Sequence, residues 1–177
     1  QTISVAIDKY VYVIIKSHNN YDEKYRINYS KTENVNQLSK MKNKRVKEIL
    51  KHFKINKPLY VNTISDIPAN TGLGSSSAFT VGLINAILKL KDIKLSKEKI
   101  AELAFKIESK SLKEDLGKQD QYISAFGNAQ HFIYNKNKVK KKKLINYKKN
   151  IKYILKNSLL IFTNQKRLSK KILNQQK

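Results

Sequence analysis

The residues best suited to chemistry form one run, Asp66-Ile67-Pro68-Ala69-Asn70-Thr71-Gly72-Leu73-Gly74-Ser75-Ser76-Ser77-Ala78-Phe79-Thr80. Two close glycines let the backbone approach a ligand, and three consecutive hydroxyls open a small-residue, apolar segment over residues 78–90 that reads as a helix. The first N–H groups of a helix have no intrahelical partner and its N-terminal end carries partial positive charge, so an anion is attracted there. The run therefore reads as a phosphate cradle, with a geometry suited to a triphosphate. A serine-capped helix after a flexible turn is the plainer alternative, since serine is an ordinary N-cap. The Gly-x4-Gly-Lys-[Ser/Thr] spacing of the P-loop is absent, so the mononucleotide fold that motif implies is not supported.

A second run, Gly117-Lys118-Gln119-Asp120-Gln121-Tyr122-Ile123-Ser124-Ala125-Phe126-Gly127, sets a lone Asp120 between two glutamines just after a glycine. Phosphoryl transfer from a nucleotide needs a cradle for the donor phosphates, a magnesium ion, and a group that positions or deprotonates the acceptor hydroxyl. Ser76 can give magnesium a neutral oxygen, and Glu108 can give it a carboxylate. Asp120 is then the base or positioning residue, with Lys118 or another cation keeping it ionised and stabilising developing charge. Taken alone, Asp120 also fits a helix-start cap.

Several elements have to carry these residues. Residues 3–15, rich in β-branched and aromatic types with partial alternation, predict one long or bent strand. Residues 25–29 read as its antiparallel partner across the polar turn 18–23. Apolar Leu38, Met41, Val46, Ile49, Leu50 and Phe53 give residues 35–53 a spacing near that of an amphipathic helix. Residues 59–64 read as a short buried strand, so strand, glycine loop and helix follow in the order a phosphate site needs. Ser96-Lys97-Glu98-Lys99 supplies a capped start for a further helix through Glu108, with Ile100, Leu103, Ala104 and Ile107 on its apolar face. Residues 130–134 and 138–145 read strand-like, 157–163 as a buried strand and 167–174 as a helix. The length suits one domain, no internal repeat is evident, and five glycines and two prolines are too few to mark a linker. The expected fold class is α+β, a mainly antiparallel sheet with packed helices.

A formal charge of +24 ordinarily points to nucleic acid or an anionic membrane. Its distribution argues otherwise, because only Arg26, Arg45 and Arg167 are arginines and the lysines are scattered through nearly every predicted element. Lys, Ile and Asn make up 73 of the 177 residues, a bias that coding composition explains as well as a polyanionic partner does. The run Lys138-Val139-Lys140-Lys141-Lys142-Lys143 is the best local case for an anion patch, and such runs are ordinarily solvated faces. No concentrated basic helix or aromatic-basic string supports nucleic acid as a partner. Cysteine is absent, which excludes disulfides, a thiol nucleophile and cysteine metal sites. No apolar run approaches the ~20 residues of a membrane span and no signal-peptide layout appears, so no membrane partner is expected and the cytoplasm is the default location.

The string Ile67-Pro68-x-x-x-Gly72-Leu73-Gly74-Ser75-Ser76-Ser77-Ala78 resembles the second motif of the galactokinase, homoserine kinase, mevalonate kinase and phosphomevalonate kinase superfamily, with Asn70 standing where a small residue is usual. The Gly-x-Gln-Asp-Gln block resembles the sugar 1-kinase branch, in particular heptose 7-phosphate kinases. This resemblance implies an N-terminal domain like ribosomal protein S5 domain 2, and ATP bound by Pro68, Thr71, Gly72, Leu73, Gly74, Ser75, Ser76 and Ser77. It implies magnesium at Ser76 and Glu108, because a carboxylate about a dozen residues before the catalytic aspartate often joins the motif-two serine at the metal. Asp120 and Lys118 take the catalytic positions, and a phosphorylated sugar, a heptose 7-phosphate accepting at its C1 hydroxyl, is the implied acceptor. The superfamily's first motif and its third, glycine-rich motif have no counterpart here. The chain thus resembles a partial N-terminal domain over residues 1–177, with residues 158–177 read as the start of the C-terminal half. An inactive kinase remnant and a basic nucleic-acid-binding domain are the other readings.

Overall fold

Segments rich in β-branched and aromatic residues pair into two sheets, and apolar helices cover the larger one. The structure, a computed structural model, describes residues 1–19, 22–69, 71–135, 138–144, 147–159 and 161. Its elements in chain order are β1 (Thr2–Val5), β2 (Val11–Ser17), β3 (Tyr25–Asn28), β4 (Thr32–Val35), α1 (Lys44–His52), β5 (Leu59–Ser65), α2 (Ser75–Leu90), α3 (Lys97–Lys106), α4 (Gln119–Phe126), β6 (Ala129–Tyr134), β7 (Val139–Lys142) and α5 (Tyr147–Lys156). One sheet has the order β2-β5-β3-β4 and the other β1-β6-β7. Every pairing is antiparallel except β3 with β5. The chain is accordingly an α+β domain with a mainly antiparallel framework.

Three local expectations change. Residues 3–15 are two strands in different sheets, because the charged pair Asp8-Lys9 interrupts the apolar alternation. The break is pinned at both ends: the Ala6 N–H donates to the Asn128 carbonyl at 2.8 Å, and the Tyr10 N–H to the Asp66 carboxylate at 2.8 Å. β3 is not the partner of β2, since β5 lies between them, pairing Val13 with Thr63 on one side and Ile27 with Val61 on the other. The helix expected over residues 35–53 contracts to α1, preceded by β4 and a 3-10 turn at Leu38–Lys40. The Glu33 carboxylate accepts the N–H groups of Lys42 and Asn43 at 2.6 and 2.9 Å, holding that stretch out of helix, and the Asn43 side chain caps α1 by accepting from the Val46 N–H at 3.1 Å.

The core forms where α1, α2 and α3 meet the sheet. Ile27, Leu59 and Val61 from the strands meet Ile49 and Leu50 of α1, Leu83, Ile84 and Ile87 of α2, and Ala104 of α3. Burying each of the Val, Leu and Ile side chains contributes roughly 1.5–3 kcal/mol, so this packing fixes α2 on the sheet. Contact is closest at Gly82, where a Cβ would stand 3.1 Å from Cγ2 of Val13 on β2. A smaller cluster of Ala101, Tyr122, Phe126 and Phe132 joins α3 and α4 to the three-stranded sheet, and Tyr122 and Phe132 meet edge to face at 5.4 Å. α3 begins as expected, with Ser96 accepting from the Lys99 N–H, and then widens into a π-turn at Ile107–Ser111 closed by the Leu112 N–H on the Ile107 carbonyl at 3.0 Å.

α5 was not foreseen from the lysine-rich text around it. In the strand expected over residues 157–163, Leu159 and Ile161 are 84% and 71% exposed and not buried. Residues 160, 162 and 163 of that segment, and the helix expected over 167–174, lie outside the described residues. Among the described residues no helix is long and apolar enough to cross a membrane.

Candidate phosphate and catalytic site

The glycine run forms the loop between β5 and α2. Gly72 and Gly74 take φ values of +78° and +72°, conformations that an L side chain rarely adopts, and Gly74 is the N-cap of α2 with no side chain filling the cap position. The N–H groups of the first helical turn therefore face outward without a side-chain acceptor, as an anion site requires. Short bonds order the approach to the loop, with the Ser65 hydroxyl donating to the Ile67 carbonyl at 2.8 Å and the Thr71 hydroxyl to the Pro68 carbonyl at 3.3 Å. Ser76 is exposed on this turn.

Asp120 meets the same loop from α4. A Cβ added to Gly74 would lie 3.4 Å from Asp120 Cγ, so the carboxyl group packs against the cradle backbone. Its surface is open to solvent, yet the surrounding protein desolvates it, and this together with the negative charge of Glu108 raises its pKa. A carboxylate made more basic in this way accepts a proton more readily than an ordinary aspartate.

Glu108 is the hub beneath the cradle. Its carboxylate is 0% exposed and accepts from four donors: the Arg45 guanidinium, the Thr80 hydroxyl at 2.6 Å, the Ser77 hydroxyl at 3.0 Å and the Gln121 amide. The π-turn brings it there, and α2 supplies two donors because Ser77 and Thr80, three residues apart, share its buried face. Ser76, one position earlier, is turned about 100° away from that face. The structure therefore brings Ser77, and not Ser76, into hydrogen-bond contact with Glu108.

Lys118 is held by the neighbouring helix α3. It bonds Glu102 at 2.8 and 2.9 Å and lies over the Phe105 ring at 5.1 Å, while Glu102 accepts from the Tyr122 hydroxyl at 2.6 Å. Lys118 is the N-cap residue of α4, and the contacts of its ammonium group are with α3. Burial, and then the bond to Glu102, raises the Tyr122 pKa.

The loop could take an anionic phosphate, having two left-handed glycines, a first helical turn without a capping side chain, and space at Gly72, where an added Cβ would meet nothing within 4 Å. Hard oxygen donors suited in kind to magnesium stand open at Ser76 and Asp120, whereas the acceptor positions of Glu108 are filled. Among the described residues no group of three or more His, Asp or Glu could form an all-protein metal cage. Magnesium rarely needs one, because phosphates and water complete its shell. Arg45, Thr80, Gln121 and Glu114 join Ser77 in this network, and none of these four is assigned a site role from the sequence. The scarcity of arginine is the one sequence signal that singles out Arg45.

A glycine loop opens α2 with an aspartate packed on it, and residues 42–128 match the family described as GHMP kinases N terminal domain. Over those residues the chain is similar to this family. It is 41% identical over 92 residues to D-glycero-alpha-D-manno-heptose 7-phosphate kinase of Campylobacter jejuni, a match covering 50% of this chain and 27% of that protein. It is 50% identical over 48 residues to mevalonate kinase of Pyrococcus abyssi, covering 27% of this chain and 14% of the relative. Among solved structures, a D-glycero-D-manno-heptose 1-phosphate kinase from Bacteroides thetaiotaomicron superposes with a TM-score of 0.71 at 24% identity, over 81% of this chain and 50% of that one, a likeness of fold. A putative sugar kinase from Campylobacter jejuni superposes at 0.66 with 27% identity, over 81% of this chain and 49% of that one. The chain thus spans about half the length of these solved relatives.

Proposed function

We propose that this chain is the nucleotide-binding part of an ATP-dependent sugar kinase that phosphorylates the anomeric C1 hydroxyl of a heptose 7-phosphate. The observation that carries the reading is the Asp120 carboxyl group packed on Gly74, which sets a proton acceptor beside a cradle for the donor phosphates. The similarity to the Campylobacter jejuni heptose 7-phosphate kinase supports the choice of acceptor. The residues Pro68, Thr71, Gly72, Leu73, Gly74, Ser75, Ser76 and Ser77 line the nucleotide side, with backbone N–H groups of Ser75, Ser76 and Ser77 aimed at phosphate oxygens. Asp120 takes the proton of the C1 hydroxyl as that oxygen bonds the γ-phosphorus, the bond from γ-phosphorus to the bridging oxygen breaks, and ADP leaves. Magnesium, when bound, neutralises charge on the β- and γ-phosphate oxygens. Ser76 offers it a neutral oxygen, and Glu108 would reach it only by releasing one of its present donors. Lys118 holds Glu102 and the start of α4, so its contribution is to orient Asp120. The site belongs to a protein acting where ATP is available, the cytoplasm.

The test is phosphorus NMR of the purified chain with ATP, Mg²⁺ and D-glycero-D-manno-heptose 7-phosphate. A new anomeric phosphate resonance that grows as ADP accumulates is the expected result, and the heptose lacking its 7-phosphate should give far less. A chain that binds nucleotide and forms no sugar phosphate favours the second reading, a nucleotide-binding remnant, which the coverage of only half of the solved relatives supports.

A further inference from the structure

Arg45 is one of three arginines among 37 basic residues, and its side chain is only 15% exposed. It leaves α1 to reach four acceptor atoms outside its own helix. One nitrogen of the guanidinium donates to Glu108 and, at 2.9 Å, to the Thr80 hydroxyl; the other donates to both oxygens of Glu114 at 2.7 and 2.9 Å. Each of these partners leads to the site. The Thr80 hydroxyl also bonds the carbonyl of Ser76 at 3.2 Å, Glu108 holds Ser77 and Gln121, and the Glu114 N–H donates to the Glu108 carbonyl at 3.0 Å at the head of the segment running to Asp120. A single planar fork thus ties α1, the first turns of α2, the π-turn and the 112–118 connection together. A lysine presents a compact point charge on a flexible stem and cannot span two carboxylates and a hydroxyl in one plane. That difference explains an arginine at this position in a chain whose other basic side chains are nearly all lysines.

We propose that Arg45 is a positioning residue of the site, fixing Glu108 and the segment that delivers Asp120 relative to the cradle, so that its loss weakens binding of magnesium nucleotide in a chain that still folds. The proposal rests on the phosphoryl-transfer reading for what the site binds, and on the geometry alone for what Arg45 holds.

Three variants test it: Arg45→Lys, Arg45→Met, and the double variant Arg45→Met with Glu108→Gln, which leaves no buried charge without a counter-charge. Each is measured by thermal unfolding, by amide hydrogen exchange of residues 107–118 against residues 81–90 of α2, and by calorimetric titration with Mg²⁺ and a non-hydrolysable ATP analogue. Arg45→Lys should unfold near the wild-type temperature, exchange faster over 107–118 but not over 81–90, and bind the analogue about tenfold more weakly, the loss typical of removing a supporting side chain from a metal site. The double variant should recover the thermal stability lost in Arg45→Met without recovering affinity. Wild-type exchange and wild-type affinity in Arg45→Lys would overturn the proposal, and so would full recovery of affinity in the double variant. If the wild-type chain binds no nucleotide, the phosphoryl-transfer reading fails, and unchanged exchange over 107–118 in Arg45→Lys and Arg45→Met would then overturn the positioning role separately.

Discussion

Asp120 holds its proton more tightly than an unfolded-state aspartate, because neighbouring protein and the charge of Glu108 penalise the carboxylate. The folded state therefore binds more protons than the unfolded one between the ordinary aspartate pKa of about 3.9 and the raised value, and stability falls as pH rises through that window. The penalty is fully present above the raised pKa and absent below about 3.9. Asp120→Asn should raise the unfolding temperature at neutral pH, and the gain should vanish as acid titration approaches the ordinary value; a gain unchanged across that range would contradict the cause assigned here. In a kinase assembled to the length of its relatives, the same substitution should abolish turnover and leave nucleotide affinity nearly intact, as measured by product formation beside calorimetry. Glu108→Ala should cost about 3–5 kcal/mol in denaturant unfolding, because it strands Arg45, Ser77, Thr80 and Gln121 without their common acceptor.

At the scale of elements, the cradle depends on one backbone conformation and one close approach. Gly74→Ala forces a side chain into left-handed backbone, at a cost of about 1–2 kcal/mol, and presses a methyl group toward the Asp120 carboxyl 3.4 Å away. It should lower both the unfolding temperature and nucleotide affinity, and a variant that lost stability alone would separate the loop from binding. Gly82→Leu should destabilise by about 1–3 kcal/mol, since the helix already rests on Val13 and overpacking forces the two apart. The glycine loop, α2 and the capped start of α3 were readable in the sequence because glycine conformation, helix period and N-capping are local properties. The sheet order was not, because β5 inserts between β2 and β3 through contacts that no short window contains. That Ser77 and not Ser76 bonds Glu108 turns on a single 100° step of helix phase, and the bond of Lys118 to Glu102 is made across to a neighbouring helix. Arg45 arrives from α1, more than sixty positions before Glu108, so spacing alone could not place it.

For the molecule as a whole, a charge of +24 creates an attraction for any polyanion that has to be separated from site binding. Lysine–phosphate contacts release counterions, so binding of an oligonucleotide weakens steeply with salt, whereas a cradle of backbone N–H groups and one hydroxyl is less sensitive. The most direct test is calorimetric titration of the purified chain with Mg²⁺ and a non-hydrolysable ATP analogue at two salt concentrations, beside Ser76→Ala. Saturable binding at both concentrations, reduced about tenfold in Ser76→Ala, is the expected result. A folded chain that binds nothing, or binds the analogue equally with and without the Ser76 hydroxyl and loses it with salt, would contradict the assignment of this loop as a nucleotide site.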